Sequence, residues 1–572
     1  CERASVCVLC VVLAYVLGVT HAEGFVCSMY IKRSPDRHKE KGSVTTHSIH
    51  LHSCEFSGPI LADKAMPDMD QFVHELYLHP ISIVLMLATT LALWFYMSQF
   101  RIRLPPGPLH IPLIGNSWKL TADSDMRKSL RRLHKQYGDI YRLYMGPKLV
   151  VVISGYEAIK EVFVKRGGEF SDRPDFLVNL VGENQGIASS SGQLWTKLRK
   201  FTLTTLRSFG FGKTSLEGKI HTEVSILLSE IEKENQNPFC IHNVVKPSVS
   251  NVINAMAFGE HFKRDDPTFA KMIAMLEEST ENGGPSPVLI FFPFLRHLPG
   301  DLFRVKKVLR NVQFVEGFIG ELINKHIENF DENKIEDFID AFLLEMKSNR
   351  DQQDITFTNK QLMKTLSDLF VAGMDTTTTT ITWAVLYLAA KPDIQGRVFR
   401  EVNEAVGTER LPSLQDRRNL VYTEAFIMEI QRICNIATVS VPHTCSVDTK
   451  IRDFHIPKGT PLIPDTDSVL FDPKIWGDPE EFRPERFISE EGTLMKPDEF
   501  IPFFTGKRNC VGEPLARMEL SLFIPALVQK FEILPPEGRT FSIKEMDGVV
   551  GLTHRPKPFE IRAIPRTTKF PI

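Results

Sequence analysis

Phe503-Phe504-Thr505-Gly506-Lys507-Arg508-Asn509-Cys510-Val511-Gly512 is the stretch on which the reading of this 572-residue chain turns. A cysteine stands between two glycines, a residue type that permits tight backbone turns. Glu513–Gln529 follows with an amphipathic helical pattern, so the loop delivers Cys510 to a helix N-terminus. The positive end of a helix dipole favours negative charge, which predicts a thiolate at Cys510. A thiolate with one open face can donate axially to a haem iron, and nearby glycines let the backbone approach a porphyrin. A buried, inert cysteine is the commoner state of a lone Cys. It accounts for neither Phe503, Gly506, Gly512 nor Arg508 at these offsets.

Upstream, the longest helical pattern opens at Thr358 with Gln361 three residues on, a capping-box arrangement. It runs to Lys391 before Pro392, roughly 50 Å at 1.5 Å per residue. Thr376 to Thr380 interrupt it with a poor helix former whose hydroxyl bonds preceding carbonyls. With Gly373 and Asp375 just before them, a functional distortion is expected there. Other helical periods cover Met126–Gln136, Leu216–Glu234, Val305–Glu328 and Ile335–Met346. Strand-like segments are short: Ile140–Met145, Leu149–Ile153, Ile451–Ile456 and Phe559–Ile564. The fold class is therefore mainly α with small β-sheets. Val288–Phe294, apolar between prolines, reads as a connector that is buried, touches a bilayer or covers a channel.

The Cys510 loop fits the Phe-x-x-Gly-x-Arg-x-Cys-x-Gly pattern and resembles the haem-binding loop of cytochromes P450. Three further stretches stand in that family's order. Ala372-Gly373-Met374-Asp375-Thr376 resembles its oxygen-activating motif. Glu429-Ile430-Gln431-Arg432 resembles its Glu-x-x-Arg helix, with both side chains on one face at i and i+3. Phe482-Arg483-Pro484-Glu485-Arg486-Phe487 resembles the segment that adds a second arginine, Arg486, to that pair. Glu-x-x-Arg alone carries almost no information; the ordered set of four, spanning about Met66 to Arg566, is specific.

The resemblance implies a P450 fold binding haem b, with Cys510 as axial ligand. It places Trp195 and Arg199, in Trp195-Thr196-Lys197-Leu198-Arg199, on a haem propionate together with Arg508. His443 and Arg173 stand where microsomal relatives contact propionates. Phe503, Gly506 and Gly512 complete the cofactor loop, and Glu429, Arg432 and Arg486 are structural. Thr376, with Asp375 behind it, is the expected proton relay for O₂ activation in an apolar pocket. No Gly-x-Gly-x-x-Gly follows a strand, so no nicotinamide or flavin site is expected. Electrons from NADPH then arrive through a separate cytochrome P450 reductase, with cytochrome b5 a further candidate donor and Lys507 a candidate docking charge.

Ahead of this region, Pro80–Met97 is apolar and uncharged, about 18 residues that nearly span a hydrocarbon core. Arg101 and Arg103 follow it while Asp68, Asp70 and Glu75 precede it, which orients the catalytic part to the cytosol. The expected organisation is an N-terminal extension over 1–65, a luminal tip and anchor over 66–103 with its helix at 80–97, and a proline-rich hinge over 104–115. A haem-thiolate domain covers 116–572. Residues 1–65 read as a gene-model or untranslated extension, the alternative being a signal peptide with Val6–Leu17 as its core. The expected location is the endoplasmic reticulum membrane, crossed once.

Composition agrees with a folded enzyme on a tether. Hydrophobic residues make up 43% and charged residues 24%, with a net charge of −2. That balance excludes a disordered or polytopic chain and gives no support to nucleic-acid binding. Of nine cysteines, only Cys240, Cys434, Cys445 and Cys510 lie beyond the first tenth, too few for a disulfide scaffold.

Two rival readings remain at this point. Some P450-like proteins rearrange hydroperoxides, but they often lack the acid–alcohol pair present here as Asp375-Thr376. A haem-binding sensor or carrier would leave that pair idle. Candidate pocket residues by resemblance are Leu177–Ile187, Leu369–Ala372, Ala437–Val441 and Val549–Leu552, an apolar set that suits a lipophilic substrate. The hinge, Ile433–Asp448 and Asp465–Phe487 resemble the steroid and xenobiotic clan of animal P450s, most of all its arthropod members. Those include methyl farnesoate epoxidases and ecdysteroid hydroxylases.

Overall fold

The computed structural model describes residues 86–90 and 103–566, the latter apart from 112–113, 117–118, 121–124, 176–183, 282–288, 290–291, 293–294, 297, 350–355, 543–547 and 552. Met86–Thr90 is helical. The extension over 1–65, the rest of the anchor and most of the apolar connector lie outside the described residues. Among the described residues no helix is long and apolar enough to cross a membrane.

From Arg103 onward the proline-rich segment is pinned to the first strand, not left free. Arg142 donates from its backbone to Pro106 O (2.8 Å) and from its guanidinium to Pro105 O (2.7 Å). Gly107 is required here, because a Cβ would collide with the Arg142 carbonyl. The main sheet has the order β1 (Ile140–Met145), β2 (Lys148–Ser154), β6 (Pro461–Asp465), β3 (His443–Thr444). β2 and β6 run parallel and the other neighbours antiparallel. β4 (Thr449–Ile451) and β5 (Phe454–Ile456) form a hairpin where one strand is expected, since Arg452 turns the chain at φ +51°. β7 (Phe531–Leu534) pairs with β10 (Arg562–Pro565), and β8 (Val549–Val550) with β9 (His554–Arg555).

Helices make up the rest. The long helix, Asn359–Ala390, is capped by Thr358 as its sequence predicts, the hydroxyl accepting from Gln361 N at 3.2 Å. The expected interruption at the threonines does not occur. Thr376, Thr380 and Thr382 donate to the carbonyls four residues back, so their hydroxyls are satisfied within an unbroken helix. Phe370, Met374 and Ile381 of this helix join Val249 and Ile253 of helix Ile241–Ala257 and Phe523 of helix Glu513–Lys530 in one apolar core.

One polar tie in this helical body sets a pH dependence. Asp337 caps helix Phe338–Ser348, and its Oδ2 lies 2.7 Å from His326 Nε2 at the end of helix Val305–Asn329. The hydrogen bond to Asp337 pushes His326 up to about 9 despite the opposing effect of burial. A raised histidine pKa contributes stability that is complete below about 6.5 and lost as pH rises through about 9. Urea titrations should therefore show wild type more stable than His326→Gln at pH 6, by on the order of 1 kcal/mol for a part-buried pair, with the difference shrinking across that window. A pH-independent difference would contradict the ion pair.

Candidate functional site

The cysteine loop is closed by its own backbone: Cys510 N donates to Phe503 O (3.0 Å) and Asn509 N to Gly506 O (3.2 Å). Gly506 has φ +79°, and a Cβ there would strike the Phe163 carbonyl, so the glycine is demanded twice over. Gly512 has an ordinary φ of −84° as the cap of helix Glu513–Lys530. Added bulk there would sit in ordinary contact, 3.8 Å from the Cys510 sulfur. The tight-turn argument thus holds for Gly506 and not for Gly512, which instead leaves the sulfur uncovered. Phe504 takes φ +61°, an uncommon conformation for a side chain with a Cβ.

Cys510 is the one exposed thiol among the described cysteines. Burial nonetheless pushes its pKa up, with the Glu513 carboxylate adding to the rise while the N–H groups of Gly512 and Glu513 and the Arg199 charge oppose it. An accessible sulfur that is still desolvated faces an internal cleft. The helix N-terminus acts in the expected direction, but burial outweighs it and the protein alone favours the thiol. A coordinated metal ion reverses that balance, because a ligating thiol is deprotonated outright.

Around this loop the structure brings together five side chains from distant segments. Trp195 and Arg199 share a face of helix Gly192–Ser208. The Arg508 guanidinium stacks 3.9 Å from the Trp195 ring centre, and Arg199 Nη2 donates to Asn509 O at 2.7 Å. A bridge between Asp172 and Thr444 lays Arg173 beside β3, where it donates to Val441 O and Pro442 O (both 3.0 Å). Arg508 is tied to the same neighbourhood through Ser171 O (2.8 Å) and Ile187 O (3.2 Å). His443 is buried against Phe163 and Phe504, its Nδ1 2.7 Å from Phe170 O. That contact makes Nδ1 the donor and turns Nε2 inward.

The cluster is electrostatically one-sided. Burial, then the Arg199 charge, brings Arg173 down to about 9. Burial, then Arg173 and Arg199, brings Arg508 down to about 8. His443 is depressed well below its ordinary value by burial and Arg173. Guanidiniums keep their protons at neutral pH, so their mutual repulsion is a demand for anions. Two nitrogens, Trp195 Nε1 and His443 Nε2, are buried without a hydrogen-bond partner.

Above the cleft, Leu369, Gly373 and Thr376 are half-buried and Ala372 exposed, while Met374, Asp375 and Thr377 through Ala389 are buried. That stripe at helical spacing is the one face of an otherwise buried stretch that neighbouring side chains leave open. Thr376 Oγ1 donates to Ala372 O (2.7 Å) and lies on the stripe. Asp375 does not: its Oδ1 accepts from Arg555 Nη2 and its Oδ2 from Thr553 Oγ1, both 2.8 Å. The carboxylate is therefore tied to the β8–β9 hairpin, turned from the hydroxyl it was expected to support. Sequence reasoning missed Glu519, which accepts from Thr377 Oγ1 at 3.0 Å and is pushed by burial to about 8. An acid set among the apolar positions Leu515, Met518, Leu520 and Leu522 was the available signal. It also missed Asp368, whose Oδ2 takes the N–H groups of Ile187 and Ala188. Of the pocket candidates, 177–183 and 552 fall outside the described residues.

Glu429, Arg432 and Arg486 meet away from the cleft. Arg432 forks onto Glu429 (2.7 and 2.9 Å) and Arg486 Nε adds a third bond at 3.0 Å.

A sequence profile described as Cytochrome P450 matches residues 105–563. Cytochrome P450 2H1 of Gallus gallus is 38% identical over 483 residues, covering 83% of this chain and 96% of its own. Cytochrome P450 2U1 of Homo sapiens is 36% identical over 517 residues, 85% and 94% respectively. The chain belongs to the cytochrome P450 family. Cytochrome P450 2J5 of Mus musculus extends the likeness, 37% identical over 500 residues. The P450 is thus an enzyme of the monooxygenase type with a mainly helical fold. These vertebrate relatives do not bear on the arthropod affinity expected from its hinge. The family's group is haem, and this P450 fits it on its own structure: an accessible cysteine sulfur lies within reach of Arg199's charge, and an unpartnered buried donor, Trp195 Nε1, sits among arginines that call for carboxylates.

Proposed function

We propose that this P450 binds haem b with Cys510 as axial ligand and with Trp195, Arg199, Arg508, Arg173 and His443 on the propionates. The observation that carries the proposal is the convergence of these cations and unpartnered nitrogens on the loop that presents the sulfur. When bound, haem supplies O₂ activation, with electrons that we assign to a separate NADPH–cytochrome P450 reductase, cytochrome b5 being a further candidate donor. The arginine cluster holds and orients the carboxylates through charge-assisted bonds. An anion beside His443 opposes the burial and the Arg173 charge that depress it, and so raises the proton affinity of its Nε2. Thr376 presents a hydroxyl to the cleft, able to hold a water and pass a proton. Glu519, protonated at neutral pH, keeps a proton one residue behind that hydroxyl.

The apolar character of the candidate pocket segments, Leu369, Ala372, Ala437–Val441 and Val549–Val550, supports a lipophilic substrate of moderate size, hydroxylated or epoxidised. Within that class the alternative to a xenobiotic is an endogenous terpenoid or steroid, in the manner of methyl farnesoate epoxidases and ecdysteroid hydroxylases. The support is the resemblance of the hinge and of Ile433–Asp448. The proposed location is the endoplasmic reticulum membrane, with an anchor at 80–97 and the catalytic domain in the cytosol.

The test is turnover of the full chain with reductase and NADPH against farnesoid esters, steroids and xenobiotic probes, read by mass spectrometry. A product heavier by one oxygen atom and substrate-dependent NADPH use are expected. NADPH use equal to the enzyme-free control on every compound would refute the proposal. In the same assay Thr376→Ala should lower product per NADPH by roughly tenfold or more and raise hydrogen peroxide. Unchanged coupling would remove Thr376 from the proton path.

A further inference from the structure

The acid of the acid–alcohol pair is committed elsewhere, and its partner is informative. Asp375 is only 2% exposed, and its carboxylate is shared between Arg555 and Thr553. Arg555 Nε also donates to Thr553 Oγ1 at 3.2 Å, closing a triangle of three side chains. Thr553 and Arg555 belong to the β8–β9 hairpin, in which Val549 pairs with Arg555. Val549–Val550 is the segment proposed to border the substrate. The hairpin is fastened to the long helix a second time, two turns on, by Trp383 Nε1 donating to His554 O at 3.0 Å. Its His554 N donates to Ile436 O at 2.9 Å, at the edge of the Ala437–Val441 wall. Substrate wall and oxygen-side helix therefore meet in one charge-assisted bond from which water is largely excluded. Such bonds are short, directional and costly to break from one side.

We propose that Arg555 is a positioning residue for oxygen activation. Acting through Asp375, it fixes the helical turn that carries Thr376, and by the same bond it fixes the hairpin that borders the substrate. A molecule pressed against Val549–Val550 is thereby coupled to proton handling at Thr376. The inference rests on Thr376 having that role, so its test includes a readout independent of turnover.

Hydrogen exchange of the full chain, followed by mass spectrometry, reads the tether itself. In Arg555→Gln, amides of 549–555 and of 372–376 should exchange together, at least about tenfold faster than in wild type. Arg555→Lys should recover part of that protection, and Thr553→Val should show a smaller effect in the same direction. In the turnover assay, Arg555→Gln should keep the reduced CO band, which shows that haem is loaded, and lose several-fold in product per NADPH. The loss should differ between a slim and a bulky substrate. Asp375→Asn/Arg555→Gln should be no worse than the poorer single variant, as expected for residues that act as one unit. Unchanged exchange in Arg555→Gln would overturn the tether. Faster exchange with unchanged product per NADPH on both substrates would overturn the coupling and leave a purely structural bond. If wild type turns nothing over, the monooxygenase reading fails while the exchange result still decides the tether.

Discussion

Cys510→Ala should abolish the thiolate-type Soret band of the reduced CO complex and leave the fold of the apoprotein in place. The loop does not depend on the sulfur, because it is closed by backbone bonds from Cys510 N to Phe503 O and from Asn509 N to Gly506 O. The sulfur lost is an exposed one, so its removal costs the empty protein little. Among the described cysteines, the two buried thiols cannot substitute. Cys434 is fully buried and pushed well above its ordinary pKa, and Cys445 contacts the Pro457 carbonyl at 2.9 Å. A ligand held at 100 to 1,000 times its dissociation constant stabilises the folded state by about 3–4 kcal/mol. The variant should therefore melt earlier than haem-loaded wild type and match wild type freed of haem. Absorbance of the dithionite-reduced, CO-saturated protein is the measurement. A variant that keeps the band would show that another residue ligates the iron.

Legibility in the sequence followed the locality of the cause. Met126–Gln136 and Ile140–Met145 were readable within a residue or so, because their periodicity is carried by their own side chains. β6 was not, although it joins β2 to β3 at the centre of the sheet. Its Pro461 and Pro464 argue against a strand, and only pairing with segments some 300 residues earlier makes it one. Helix Ile241–Ala257 hid in the same way behind Pro247. In the candidate site, Arg508, Trp195 and Arg199 were marked by spacing within short motifs. Arg173 and His443 needed the Asp172–Thr444 bridge to become neighbours. The partner of Asp375 was illegible, since Thr553 and Arg555 lie 178 and 180 residues away and sit in no motif. Residue pattern names the groups, whereas the direction a buried carboxylate turns is decided by what the tertiary fold brings to it.

Glu429→Gln should be the most destabilising conservative change in the protein. Its carboxylate is fully buried and accepts four bonds: two from the Arg432 fork, one from Arg486 Nε and one from Arg483 N at 2.9 Å. Arg432 spends its remaining donors on Leu470 O and Glu481 O, and Arg486 on Trp476 O and Glu481 O. The network joins helix Val421–Cys434 to the segment that runs into the cysteine loop, and every member has partners. Glutamine keeps the shape but replaces one acceptor oxygen by an NH₂ that faces a guanidinium, and it leaves the fully buried Arg432 without a counter-charge while Arg486 keeps only Asp478 at 3.3 Å. Removing one side of a buried ion pair costs about 3–5 kcal/mol, against roughly 5–15 kcal/mol for a whole domain. Much of the variant should then fail to accumulate as folded, haem-loaded protein. Arg432→Lys, unable to fork, should fall between Glu429→Gln and wild type. An apolar pair, Glu429→Met with Arg432→Leu, should not rescue, because Arg486 Nε, the Arg483 N–H and the Leu470 carbonyl would still lose the partners they have here. Haem content per folded chain and the urea midpoint decide the matter. A Glu429→Gln protein equal to wild type in both would mean that this network is not what holds the two segments together.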